Sequence, residues 1–512
     1  MTVQPVDDGR DIPARASRGS QSYTQILKST AVIGGSSVIT IGFAILRNKA
    51  MALLLGPEGV GLIGLYTSIA DFAQTLASMG IQASGVRQIA EAAGTEDEAR
   101  IARTATTLRR VSFILGLAGA LLLALFAFPI ATLTFGNHTH AAGVVLLSAA
   151  VFFRVVSAGQ TALIQGMRRI SDLASLNILA ALFSTVVGIP LIYLFGAEGI
   201  VPSLVLMAVI STGTSWWYAR KVRLAPSPVS ARETVSEANA LLKMGVVFMA
   251  SGLLTVGAAY AIRIIVLQQE GFAAAGLYQA AWALGGLYAG FILQAMGTDF
   301  YPRLTAAAHD DAECNRLVNE QIQVSILLAG PGVVGTLTLA PLVMTAFYSS
   351  AFQPAVDLLR WICLGMMLRA VAWPMGFIVL AKGARQIFFW TEVAAAAVHV
   401  GLVWLLIGPF GLPGAAMAFF GLYIWHGTVI YLLVRRLSGF RWSRFNLRLA
   451  LIFVPAASMV FGGFMVLSFW SATALGLALS TATGLYALRE LARLLPPDTF
   501  PAAIRPWMAR LM

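Results

Sequence analysis

Cysteine is nearly absent from this chain: Cys314 and Cys363 are the only two in 512 residues. That excludes a disulfide framework and any cysteine-built metal centre. Charge is scarce too, at 11% of residues, against about a quarter in ordinary soluble proteins. With 58% hydrophobic side chains, the chain has too little polar surface to cover a water-soluble globule of this size. No lysine follows a glycine and no His-Glu-x-x-His occurs, so neither a phosphate-gripping ATPase loop nor that zinc site is available. The histidines are scattered. His138 and His140 share one short turn, but two histidines without a clear third ligand are a weak metal signal. No metal or cofactor is expected.

What the chain does have is apolar length. Crossing about 30 Å of hydrocarbon takes about 20 apolar residues, and fourteen runs qualify: 29–55, 60–81, 111–135, 141–164, 173–195, 200–218, 241–268, 272–296, 322–348, 358–380, 387–407, 412–434, 447–469 and 470–488. They are continuous, whereas barrel strands alternate and are short. The fold class predicted is therefore all-α integral membrane, with about 14 transmembrane helices. A secretory signal is not expected, because the first run starts late and leads into Arg47 and Lys49.

The net charge of +12 is placed by these spans. Arginine and lysine cluster in alternate connections, for instance Arg100, Arg103, Arg109 and Arg110, then Arg220, Lys221 and Arg223, then Arg435, Arg436, Arg441 and Arg444. The opposite connections, around Asn137, Gly196, Gly271, Ser350 and Gly408, carry almost none. The positive-inside rule then puts both termini in the cytoplasm. Topology accounts for the charge, so no nucleic-acid partner is expected. The outside connections are too short to hold a glycan acceptor, which makes a polymerase or ligase the weaker reading.

The chain also echoes itself at an offset of 210 to 220 residues. Gly64-Leu65-Tyr66 pairs with Gly276-Leu277-Tyr278, Arg154-Val155-Val156 with Arg369-Ala370-Val371, Gly166-Met167-Arg168 with Gly383-Ala384-Arg385, and the outer turn Gly196 to Gly199 with Gly408 to Gly411. The basic stops Arg220-Lys221 and Arg435-Arg436 also correspond. Two six-helix bundles related by an axis along the membrane normal explain that order, with a cavity between them. The predicted organisation is a disordered tail over 1–25, bundles over 26–224 and 241–438 joined by a linker over 225–240, two additional spans over 445–490, and a tail over 491–512.

Six basic residues remain inside or at the edge of apolar spans: Arg47, Lys49, Arg154, Arg263, Arg360 and Arg369. Each costs roughly 2.5 to 3.5 kcal/mol at mid-membrane, so they are expected to face a wet cleft. There, guanidinium groups can hold phosphate oxygens through charge-assisted, bidentate hydrogen bonds, and all six are taken as substrate-binding candidates. Arg47, Lys49 and Arg360 could instead snorkel to the interface. Asp71 and Glu392 are the acidic groups within spans and candidates for coupling to H⁺ or Na⁺; a structural counter-ion role stays open for both. His399 reads as an interior histidine.

Several motifs carry a resemblance: Leu55-Gly56-Pro57-Glu58-Gly59-Val60-Gly61 at the first outside turn, Met296 to Leu304 leaving the eighth span, and Leu358-Leu359-Arg360-Trp361, Trp373-Pro374-Met375-Gly376 and Leu380-Ala381-Lys382-Gly383 through the tenth. Over about residues 25 to 436 the chain resembles the Wzx-type O-antigen and enterobacterial-common-antigen translocases. These belong to the superfamily of multidrug, oligosaccharidyl-lipid and polysaccharide exporters. The resemblance implies flipping of undecaprenyl-diphosphate-linked oligosaccharide across the bacterial inner membrane, from the cytoplasmic to the periplasmic leaflet. It further implies alternating access, drive by an ion gradient, and contact with membrane lipids and with polysaccharide polymerase or ligase machinery. A lipid II flippase and a multidrug exporter are the neighbouring alternatives. The last two spans depart from the twelve-span pattern of many such flippases.

Overall fold

The computed structural model describes residues 12–94, 97–222, 231–295 and 300–494. Among these the regular elements are helical: α1 (Ile12–Ser78), α2 (Ile81–Gly94), α3 (Glu98–Leu125), α4 (Ala127–Phe135), α5 (Ala141–Gly166), α6 (Ile170–Phe195), α7 (Ile200–Arg220), α8 (Ala231–Ala295), α9 (Tyr301–Ala306), α10 (Asp311–Phe347), α11 (Val356–Ala381), α12 (Arg385–Phe410), α13 (Leu412–Ser438), α14 (Arg444–Val466) and α15 (Phe469–Leu494). Eleven stretches are long and apolar enough to cross a membrane. Three of them, of 40, 51 and 54 residues, are long enough for two crossings each, which accommodates the fourteen predicted spans. The protein is an all-α integral membrane protein.

Two outside connections read as loops are single-residue kinks in continuous helices. In α1 the break is Gly56 (φ 62°, ψ −169°), and in α8 it is Gly271 (φ 86°, ψ −180°). That region of backbone space is essentially open to glycine alone. Pro57 follows Gly56 directly, where the first turn of the new helical arm needs no N–H from it.

Positive-φ positions also fix the register of the repeat. Gly56 and Gly271, Arg168 and Gly383, and Gly196 and Gly411 all have positive φ and are each 215 residues apart. Arg154 and Arg369 keep the same spacing, as do Arg220-Lys221 and Arg435-Arg436. Matching sequence punctuation alone slips by three residues at Gly64 and Gly196 and by two at Gly166. Letters can shift along a helix at little cost, but a left-handed residue marks one point of the path.

The outer arms of α1 and α8 cross where Gly61 meets Gly276. A Cβ on Gly276 would stand 1.8 Å from the Pro57 carbonyl oxygen, and one on Gly61 would stand 2.4 Å from that of Phe272. Phe272 is 215 residues beyond Pro57, so the two approaches are images of each other under the repeat. The helices meet backbone to backbone.

Two compact units follow packing rather than chain order. The first comprises Met1–Asn48, Ala73–Ala127 and Ala142–Ala250; the second comprises Lys49–Phe72, Phe128–Ala141 and Ser251–Met512. In the second unit α11 is the central helix, packed on α10 and α13, with α12 against α13. The two additional helices α14 and α15 both pack on α10 and on each other. Phe453 of α14, fully buried, fills the space left by Gly330 of α10, and Gly476 of α15 admits Thr338 of α10. At the end of α10 near Asn315 a polar seam adds directional bonds. Asn446 Nδ2 donates to the Asn319 carbonyl and to its side-chain oxygen at 3.0 and 2.9 Å, and Ser438 Oγ donates to Asn315 Oδ1 at 2.7 Å.

The ends differ from expectation where they are described. Residues 12–25, read as part of an irregular tail, are helical in α1; Ala14, Arg15 and Gln21 are good helix formers, and Pro13 sits in the first turn, where proline is tolerated. The linker shortens likewise, because α8 begins at Ala231. Residues 1–11 of the tail, 223–230 of the linker, 296–299 of the span-eight motif and 495–512 at the end lie outside the described residues.

Candidate functional site

The second unit encloses a cavity of about 420 Å³ between α8, α11, α12 and α13. Three of the eight predicted site residues line it: Arg263, Arg369 and Glu392. The kink in α8 is what positions Arg263. Its Nε donates to Gln279 Oε1 at 2.9 Å and its Nη1 to the Ala259 carbonyl at 3.0 Å. Ala259 lies before Gly271 and Gln279 beyond it, so the guanidinium spans the bend. Gln279 is itself held close to Gly64 of α1, three residues past the glycine crossing. Asp71, on the same arm of α1, is within electrostatic reach of Arg263.

Arg369 projects from the middle of α11. Its Cζ is 4.5 Å from the centroid of the Trp373 ring, one turn on, and 5.9 Å from that of Tyr423 on α13. A guanidinium over an aromatic face gains cation–π stabilisation, about 2 kcal/mol when desolvated. Glu392 of α12 lies in its electrostatic field. The Arg369 Nε is buried and has no hydrogen-bond partner, as are His399 Nε2 and His426 Nδ1. All three residues line the cavity.

The remaining candidates lie elsewhere. Arg360 is not among the lining residues: it is 8% exposed, its Nε donates to the Leu337 carbonyl at 3.2 Å, its Nη1 pairs with Asp357 at 3.2 Å, and its Cζ lies 3.8 Å from the Phe464 ring centroid. It therefore ties α11 to α10 and α14. Lys49 donates to the Thr345 carbonyl in the last turn of α10, a favourable place for a cation at the negative end of a helix. Arg47 donates to Ser184 Oγ at 3.2 Å and Arg154 is half-buried on α5; both belong to the first unit. Substituting Arg360 by Met is expected to lower the melting midpoint of the purified protein, because a buried carbonyl left unpaired costs about 1 to 3 kcal/mol, while saccharide export in cells is retained. Loss of export with an unchanged midpoint would contradict this assignment.

Sequence reasoning missed the aromatic and imidazole lining, namely Tyr278, Trp282, Phe419, Tyr423 and His426. One signal was present: Trp373, quoted for resemblance, stands one helical turn from Arg369. His138 and His140, paired in sequence, make separate contacts, with Thr132 Oγ1 at 2.9 Å and the Tyr66 hydroxyl at 3.1 Å. Chemically the cavity offers two cations to an anion, one carboxylate within reach of one of them, and aromatic walls.

A protein-family model described as "Polysaccharide biosynthesis protein" matches residues 50–357. The chain is 23% identical over 423 residues to the lipid III flippase of Escherichia coli (strain K12), covering 80% of this chain and 99% of that protein. Among solved structures, a multidrug resistance MATE family transporter of the MOP superfamily, in an inward-facing conformation, matches with a TM-score of 0.65 at 17% identity, covering 79% of this chain and 95% of the other. The lipid II flippase MurJ, in an inward closed conformation, matches with a TM-score of 0.64 at 13% identity, covering 91% and 99%.

Proposed function

Because the chain belongs to the polysaccharide biosynthesis protein family, we propose that it is a flippase for a lipid-linked saccharide rather than an enzyme. The observation that carries this reading is the pair Arg263 and Arg369 in one cavity inside a membrane-spanning unit. Guanidinium groups held there meet a diphosphate through charge-assisted hydrogen bonds, while a prenyl tail stays in lipid and only the polar head needs shielding. A lipid-linked saccharide substrate is also what the name of the E. coli relative states for that protein.

Transport in this reading proceeds by alternating access in the inner membrane, from the cytoplasmic to the periplasmic leaflet, with both termini cytoplasmic. Glu392 near Arg369 and Asp71 near Arg263 each place a carboxylate in reach of a binding guanidinium. A proton or Na⁺ taken up by either carboxylate would strengthen the hold of its arginine on an anion, and release of that cation would weaken it. The affinity difference between the two states is what lets an ion gradient drive the cycle. An exporter of organic cations would favour acidic walls, and here the cavity's bases outnumber its acids.

The test is expression of the full chain in bacterial strains that each lack one lipid-linked-saccharide flippase, with stalled precursors identified by mass spectrometry. One strain is expected to regain its surface glycan and clear its accumulated precursor. Protein present in the membrane of every strain, with no precursor cleared in any, would refute the reading.

A further inference from the structure

The walls of the second-unit cavity divide by chemistry. Trp282 and Phe419 pack edge to face with centroids 5.0 Å apart, and Trp282 stacks on Tyr278 at 6.1 Å. His399 and His426, 8% and 7% exposed, supply the two ring nitrogens that find no partner. Both imidazoles lie against aromatic neighbours, His399 beside Trp282 and Phe419, and His426 beside Tyr423. Each buried polar atom left unpaired is destabilising, and such atoms gathered in one cavity need an explanation.

We propose that this cavity holds a pyranose ring of the cargo, with one C–H face against the Trp282 ring and hydroxyl groups bonded to the free nitrogens of His399 and His426. The inference rests on the flippase reading and adds a saccharide-specific subsite to its anion contact. Aromatic faces carry negative charge, which suits the positive hydrogens of a sugar's C–H face. Neutral imidazole presents one donor and one acceptor nitrogen, which suits hydroxyls, since these both give and accept. A bare diphosphate would leave the aromatic wall unused, and a prenyl chain would leave the nitrogens unpaired. At about 420 Å³ the cavity falls near the small end of ligand pockets, so it takes one or two rings and not a whole repeat unit.

The full-length protein in lipid nanodiscs would be titrated with geranyl diphosphate and with geranyl diphosphate carrying a single glucose, galactose or N-acetylglucosamine. Wild type is expected to bind at least one sugar-bearing probe about tenfold tighter than geranyl diphosphate. Trp282→Leu and His426→Phe should each remove most of that advantage while changing geranyl diphosphate affinity less than twofold. Equal wild-type affinity for all four probes would overturn the subsite without any variant having to fold, and so would variants that weaken all probes alike. Sugar-dependent binding by free methyl glycosides, with no binding of geranyl diphosphate, would sustain the subsite while removing the diphosphate contact from the flippase reading.

Discussion

Alanine at position 369 is expected to abolish surface glycan while leaving folded protein in the membrane. The side chain it removes is the one cavity base whose Nε is buried and unpartnered, so little of the protein's own hydrogen bonding is lost with it. What is lost is the anion contact. Removing one side of a desolvated, hydrogen-bonded charge pair costs about 2 to 5 kcal/mol, roughly 30-fold to several thousand-fold in affinity. Glu392 would also be left without its neighbouring countercharge. Arg369→Lys keeps the charge but forfeits the planar stack on Trp373 and the bidentate fork, and should fall between. The measurement is surface glycan by gel alongside membrane protein level by immunoblot. Wild-type glycan in Arg369→Ala would end the role given to this arginine.

Gly276→Ala is expected to have the largest effect on stability. The added methyl would stand 1.8 Å from the Pro57 carbonyl oxygen and 2.9 Å from the Gly61 nitrogen. Both are backbone atoms that cannot swing aside as a side chain would, so the crossing of the outer arms has to open. Overpacking of this kind usually costs 1 to 3 kcal/mol where side chains can yield, and about 3 kcal/mol or more is expected here. Gly286 lies on the same helix with open space around the same built atom, and its alanine variant should match wild type. Yield and melting midpoint in detergent decide the matter. Equal midpoints for the two variants would mean that the close crossing is not a feature of the folded protein. Since that crossing also seats Gln279, which orients Arg263, surviving Gly276→Ala protein should export poorly too.

The spans were legible because hydrocarbon thickness imposes a length that composition alone reveals. The kinks were not. A single glycine in a conformation closed to other residues turns the chain without the polar cluster that marks a loop, so Leu55 to Gly61 read as a turn although the helix runs through it. Within the cavity, Arg263, Arg369 and Glu392 stood out as charges in apolar runs. Arg360 stood out equally, and in sequence nothing separates it from Arg369. The difference is tertiary: the Leu337 carbonyl, Asp357 and the Phe464 ring converge on Arg360, while Arg369 meets aromatic faces and leaves a nitrogen free. His399 and His426 were visible only as isolated letters, because what unites them is the packing of α12 against α13.

The pair α14 and α15, an appendage by sequence, is riveted to α10 by ring-in-notch contacts at Gly330 and Gly476 and by the asparagine seam near Ser438. A helix gripped along that length cannot slide past its clamps without stripping them, so α10 and the final pair travel as one solid piece. Chimeras that exchange the last two helices between relatives must therefore exchange the matching face of α10 as well.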